Sequence, residues 1–161
     1  MSAMDSKHTT KGRRLLLVLI VLAALELAAP GAAPARAQSL NDAYVAIGGN
    51  DANTCATPQT PCRTIQAAID KSATGGVVHV GPGMYTENIQ MKSGVSVIGA
   101  GPTNTSIVGV ASVSGVVSFA NVTNTSLQGF RISVSAPTPG VDRGVVFSGS
   151  TDRTALLRNN I

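Results

Sequence analysis

The chain has no tryptophan, two tyrosines and three phenylalanines, and only 12% of its 161 residues are charged. So few rings argue against an aromatic platform for nucleic acid, and so few charges exclude a coiled coil and a charge-rich disordered chain. Acids are the scarcer sign, 8 against 12 basic residues. Lys7, Lys11, Arg13, Arg14 and Arg36 precede position 38, but only Asp5 and Glu26 do among the acids. The remainder carries 7 basic and 6 acidic side chains, so the formal +4 belongs mostly to the leader. No electrostatic case for nucleic acid or an anionic membrane survives that subtraction. What the chain does have is 17 glycines and an apolar fraction of 43%, enough to build the core of one domain.

Residues 1–37 read as a secretory signal peptide. A basic stretch from Lys7 to Arg14 precedes an apolar run from Leu15 to Ala29, broken only by Glu26. The turn-prone Pro30–Pro34 then leads to Ala35-Arg36-Ala37, the small-x-small pattern that signal peptidase requires. Cleavage is expected between Ala37 and Gln38, which leaves no membrane anchor and places the mature protein in the periplasm, at the cell surface or in the medium. Both cysteines, Cys55 and Cys62, lie beyond that point in a Pro- and Thr-rich loop. An oxidising compartment makes a Cys55–Cys62 disulfide the natural reading, and no histidine nearby favours a metal site.

Residues 38–76 hold a first strand over Leu40–Ile47, the disulfide loop and one short helix. Ile65, Ala68 and Ile69 recur at i, i+3 and i+4, Thr64 is a suitable N-cap, and Gly75-Gly76 is expected to end the segment. Residues 77–161 change character. β-Branched runs alternate with Gly, Asn, Ser and Thr: Val77–Val80, Asn88–Met91, Val95–Ile98, Ser106–Val108, Val116–Phe119, Ser126–Ile132, Val145–Phe147 and Ala155–Ile161. Strands so short and close leave no room for helical crossovers. Gly115–Ile132 aligns without gaps on Gly144–Ile161 at an offset of 29, and Asn104–Gly109 echoes Asn124–Gly129 at an offset of 20. Such periods point to a parallel β-helix, with a β-sandwich as the competing architecture.

The runs Thr64–Ile69, Val77–Ile89 and Val95–Gly101 resemble the amino-terminal part of right-handed parallel β-helix proteins of the pectin-lyase-like superfamily. That group includes pectinesterases and many secreted bacterial proteins of unknown function, and the likeness covers roughly residues 43–161. It implies an all-β, single-stranded solenoid with a short amino-terminal capping helix over the first coil. Val78 and Val80 would point inward, Val77 and His79 outward, and Gly81-Pro82-Gly83 would turn a corner. Asn159 or Asn160 would begin an asparagine ladder. The solenoid reads as incomplete at its carboxy-terminal end, where further coils or a partner chain would cover the strand ending at Ile161.

Chemistry is thinly represented. Asp42, Asp51, Asp70, Glu87, Asp142 and Asp152 are scattered, without the paired carboxylates of glycoside hydrolysis or the acidic cluster of a calcium-dependent lyase. The first four read as solvated structural residues. Asp51 with Asn50 and Asn53 matches no established calcium loop, so no metal and no cofactor is assigned. The resemblance implies that a pectinesterase would carry a Gln near Val141–Phe147, where Arg143 or Gly144 stands, and its first catalytic Asp beyond Ile161. No catalytic residue carries over. The outward polar candidates are His79, Asp142, Arg143, Asp152 and Arg153, and the five aromatic residues leave little surface for sugar stacking. The sequence therefore reads as a secreted, non-catalytic scaffold associated with polysaccharide or a cell-surface glycan. The competing reading is the amino-terminal piece of a polysaccharide-active enzyme lacking its catalytic coils.

Overall fold

A strand with a period of two must bury one face, and a chain of many such strands can do so by coiling its inward faces around one axis. The computed structural model describes residues 40–136 and 143–161 and shows that solution, a parallel β-helix. The expected leader, its cleavage site at Ala37 and Gln38, and the candidate Asp142 lie outside the described residues. The elements in chain order are β1 (Leu40–Val45), α1 (Ile65–Lys71), β2 (Ser72–Val80), β3 (Gly83–Tyr85), β4 (Ile89–Gln90), β5 (Ser96–Gly99), β6 (Thr105–Val110), β7 (Val117–Ala120), β8 (Thr123–Gln128), β9 (Arg131–Ser135), β10 (Val145–Ser148) and β11 (Asp152–Leu157).

Three parallel sheets run along the axis. The first has the order β1-β2-β5-β8-β11, the second β3-β6-β9 and the third β10-β7-β4. Inward residues stack in columns between coils. Ala43, Val78, Val97, Leu127 and Leu156 form one column, and Tyr85, Ile107 and Ile132 form another. On the third sheet Ile89, Val117 and Val145 stack beside Phe119 and Phe147, whose rings lie 4.7 Å apart at 15°. Val78 and Val80 are buried while Val77 and His79 are partly exposed, as the alternation requires.

The helix matches its sequence signals at its start. Thr64 is extended, and its side chain accepts from the Ala67 N–H, while Ile65, Ala68 and Ile69 are buried. Its end differs from expectation. Ser72 is the C-cap, donating its N–H to the Ala68 and Ile69 carbonyls, and β2 begins there and runs through Gly75-Gly76. Pairing with β1 outweighs the glycine pair as a terminator, at the cost of a bulge between Leu40 and Asp42.

Two repeat expectations need correction. The echo at an offset of 20 joins β6 to β8, which belong to different sheets and do not stack. The ungapped offset of 29 holds between β8 and β11, where Leu127 meets Leu156, but β7 and β10 pair at 28, Val117 on Val145. The extra residue sits in the turn Gly149–Thr151. The slip places Phe147 over Phe119, where the ungapped alignment would set it over Ser118. One residue decides which face Phe147 occupies. Other differences are local. Ser126–Ile132 is two strands with a corner at Gly129-Phe130, and β3 was not foreseen because three residues carry too little periodicity.

The sheet edges at the first coil are covered by polar groups as well as by the helix. The disulfide loop lies along β1: the Tyr44 N–H donates to the Cys55 carbonyl at 2.8 Å, and the Ala46 N–H to the Cys62 carbonyl at 3.0 Å. The Cys55–Cys62 disulfide closes that loop, with the α-carbons 5.0 Å apart. At the edge of β4, the Gln66 side-chain amide acts as a missing peptide, accepting from the Gln90 N–H at 2.8 Å and donating to its carbonyl at 3.4 Å. Asn88 does the same at another corner, accepting from the Val110 N–H and donating to the Val110 and Gly115 carbonyls. Asn159 bridges the Phe130 N–H and the Leu127 carbonyl, each contact below 3 Å. These amides act singly at different corners.

Candidate functional site

Outward alternation on β1 and β2 brings three chemically capable side chains together on the first sheet. Tyr44 and His79 are register partners, and their rings stack at 5.1 Å with an interplanar angle of 20°. His79 Nε2 lies 3.0 Å from Asp42 Oδ1, both side chains about half exposed. Ile98 is the next rung on the outer face, and Pro58 and Pro61 of the disulfide loop wall the other side. The result is a shallow, mostly apolar groove of about 400 Å³. A flat ring surface beside a hydrogen-bonding His–Asp pair suits a ligand with one apolar face and many hydroxyls. Few rings were expected to give little stacking surface; here the imidazole supplies the second ring.

The other polar candidates do not converge on His79. Asp152 and Arg153 open β11 at the opposite edge of the same sheet, three strand steps across and five residues along from the rung of His79, roughly 20 Å away. They are paired loosely with each other at 3.9 Å, and both are largely exposed. Arg143 precedes β10 on the third sheet, and its Nη1 donates to the Val113 carbonyl at 3.3 Å. No group of three His, Cys, Asp or Glu side chains among the described residues is placed to hold a metal ion.

Asp51 and Glu87, expected to be solvated structural residues, have a specific structural role: they clamp the start of α1. Asp51 Oδ1 accepts from the Arg63 and Thr64 N–H groups at 2.8 and 2.9 Å, and Oδ2 from the Thr64 hydroxyl at 3.1 Å. Glu87 accepts from the next two N–H groups, Ile65 at 2.8 Å and Gln66 at 3.0 Å. Two carboxylates thus satisfy the donors that every helix start leaves open. Asp51 cannot serve a calcium ion with Asn50 and Asn53 as well: the Lys71 ammonium already donates to the Asp51 and Asn53 carbonyls at 2.5 and 2.7 Å.

The clamp has opposite pH behaviour at its two halves. Burial raises the Asp51 pKa, but hydrogen bonds from Thr64 and Arg63 and the charge of Lys71 outweigh it, leaving a value below the ordinary 3.8. For Glu87 burial dominates over its two backbone hydrogen bonds, and the Asp51 charge adds to it, so its pKa lies above the ordinary 4.5. A depressed acid stabilises the fold above its unfolded pKa and loses that contribution as pH falls through the folded value. A raised acid does the reverse, stabilising at low pH and losing the contribution as pH climbs through its folded value. Urea midpoints measured across pH should therefore show Glu87→Gln removing a decline above about pH 4.5, and Asp51→Asn removing a loss below about pH 3.8. Unchanged profiles in both variants would contradict the clamp. Burial first, then Glu87, pushes the Tyr85 pKa up to about 12. Its hydroxyl donates to the Gly81 carbonyl at 3.0 Å, a structural role at neutral pH.

Sequence reasoning singled out His79 but not its partners. Asp42 and Tyr44 were legible only as outward positions of β1, opposite the buried Ala43 and Val45. Nothing local says that β1 lies against β2 in the register that unites them.

A family model described as "Protein of unknown function (DUF1565)" matches residues 47–160. No curated protein sequence matches the chain. Among solved structures, pectin methylesterase PemA from Erwinia chrysanthemi is similar with a TM-score of 0.57 and 14% identity, over 73% of this chain and 42% of that one. A pectin methylesterase in complex with hexasaccharide VII gives the same values. At this identity the likeness shows the fold, a parallel β-helix of the pectin-lyase-like type, and the chain spans 42% of the length of those structures. No helix among the described residues is long and apolar enough to cross a membrane.

Proposed function

This chain belongs to the DUF1565 family, and from that premise we propose that it is a secreted, non-catalytic β-helix module that associates with polysaccharide or a cell-surface glycan. The observation that carries the reading is the Tyr44–His79 ring stack beside Asp42 in an open groove on the first sheet. A sugar ring lies its apolar face against a ring face that the Tyr44–His79 stack leaves free, and its hydroxyls meet Asp42 and His79. The His–Asp pair has no nucleophile and no second carboxylate beside it among the described residues, which supports binding over turnover. The leader and the disulfide support export to an oxidising compartment.

The test is retention of the exported protein on a panel of immobilised polysaccharides. The wild type should be retained by at least one, and Tyr44→Ala and His79→Ala should each weaken that retention about tenfold. Sequencing of the exported product should begin at Gln38. Equal retention of the variants, or none of the wild type, overturns the reading. The competing reading, the amino-terminal part of a polysaccharide-active enzyme, is favoured by the 42% coverage of the pectin methylesterases. Release of methanol or reducing ends from pectin by this chain would overturn the non-catalytic reading, and coils of the native product beyond Ile161 that bear paired aspartates with a basic partner would establish the competing one.

A further inference from the structure

The Tyr44–His79 groove is continued beyond β2 by the outer face of the same sheet. Tyr44 covers one face of the His79 ring, so the other face is turned along the solenoid axis to the next rung, Ile98. Register carries this outward column on to Gln128 and then to Leu157, which is 49% exposed. A second column runs beside it, where the Ser96 and Ser126 hydroxyls meet at 3.0 Å. Ring, aliphatic and amide groups thus stand in one line across the strands, each about 4.8 Å from the next.

The corner beside that line is hollow. Ile98 and Gly99, which border the first groove, also border a second hollow of about 250 Å³ together with Pro102, Gln128, Gly129 and Arg158. Only glycine fits where these coils approach: a Cβ at Gly99 would meet the Gly129 carbonyl oxygen at 2.5 Å, and Gly129 has φ +77°. The floor between the two hollows is therefore bare backbone. The polar groups around it are available for a ligand. The Gln66 and Asn88 amides elsewhere are engaged with backbone, whereas no hydrogen bond among the described residues occupies the side chain of Gln128 or Arg158.

We propose that the glycan held at Tyr44 and His79 lies along the solenoid axis, across the strands of the first sheet, and that it is an uncharged, extended chain of equatorially linked sugars. The inference rests on the polysaccharide reading and deepens it by assigning the chain's class and direction. Such a chain is a flat ribbon whose rings present C–H faces, and these lie against His79 and Ile98. Its hydroxyls meet the Gln128 amide, two strand steps or about 10 Å beyond His79, and then the Arg158 guanidinium. A chain with a carboxylate on every ring is repelled by Asp42 at the His79 end of this path, and an uncharged chain is not.

Calorimetric titration of the full exported chain with cellobiose, cellotetraose, maltotetraose and tetramannuronate tests the assignment. Cellotetraose should bind at least about tenfold more tightly than cellobiose, because only the longer chain reaches from His79 to Gln128. Gln128→Ala should weaken cellotetraose about fivefold and Ile98→Ser about tenfold, with thermal unfolding confirming that both variants are folded. Arg131→Ala, on the outer face of the second sheet, should leave it unchanged. Maltotetraose, whose linkage coils the chain, and tetramannuronate, which carries a carboxylate on each ring, should bind at least about tenfold more weakly than cellotetraose. Equal affinities for cellobiose and cellotetraose, or full affinity in both Gln128→Ala and Ile98→Ser, overturn the axial path. Binding of maltotetraose or tetramannuronate as tight as that of cellotetraose overturns the chain class. If retention on the polysaccharide panel depends on Tyr44 while cellotetraose fails to bind, this assignment alone falls. If nothing on the panel is retained and cellotetraose also fails to bind, the polysaccharide reading falls with it.

Discussion

Phe119→Ala should destabilise the solenoid by about 3–5 kcal/mol, among the largest effects expected of a single truncation in this chain. The ring is fully buried, and it touches Phe147 of the next coil across a 4.7 Å stack. Its removal takes apolar area from the core and opens a cavity that parallel sheets on three sides cannot collapse to fill. Phe147 belongs to the same column but is 48% exposed, so Phe147→Ala should cost about 1 kcal/mol. Urea unfolding of the two variants measures the contrast. Equal losses would mean that the stack, rather than burial, carries the energy. In a solenoid the damage is local, so amides of β4, β7 and β10 should lose hydrogen-exchange protection before those of β1.

Removing the disulfide by a Cys55→Ala/Cys62→Ala double substitution should cost about 2–3 kcal/mol, the amount that closing so short a loop takes from the unfolded ensemble. The consequence for the native state is more specific than the number. The loop covers the outer edge of β1, with the Cys55 and Cys62 carbonyls accepting from Tyr44 and Ala46. It also carries Pro58 and Pro61 to the wall of the groove, and its carbonyls at Asp51 and Asn53 hold the Lys71 ammonium. Exchange of the Tyr44 and Ala46 amides should accelerate in the double variant, while amides of β8 stay protected. Glycan retention should fall with it, because Tyr44 then stands on a fraying strand. Uniform acceleration across all coils would show that the loop stabilises the whole fold and is not a local edge cover.

Both results bear on how the groove is built. The Tyr44–His79–Asp42 cluster needs β1 and β2 in one register, and that register is held from outside by the disulfide loop and from inside by the Ala43–Val78 column. The groove therefore depends on the disulfide loop for its wall and its register. The two cysteines are fully buried, which keeps reductants away from the bond while the fold is intact.

Much of the architecture follows from the sequence alone because it depends on short-range periodicity. The i, i+3, i+4 spacing of Ile65, Ala68 and Ile69 behind Thr64 is a complete helix signal, and the alternation of Val78 and Val80 with Val77 and His79 sets the faces of β2. Two cysteines allow only one pairing within the chain, and the dense short strands with internal repetition specify a coil. What the tertiary structure alone decided concerns contacts between coils. Paired residues lie 19 apart between β2 and β5, 30 between β5 and β8, and 28 or 29 further on, because each turn absorbs a different number of residues. No local pattern encodes that count, and so neither the stacking of Phe147 on Phe119 nor the joining of Asp42, Tyr44 and His79 can be read from the chain. The roles of Asp51, Glu87, Gln66 and Asn88 were hidden for a related reason. A carboxylate or an amide declares its chemistry in the sequence, but which backbone groups it must satisfy depends on where the fold leaves donors and acceptors unpaired.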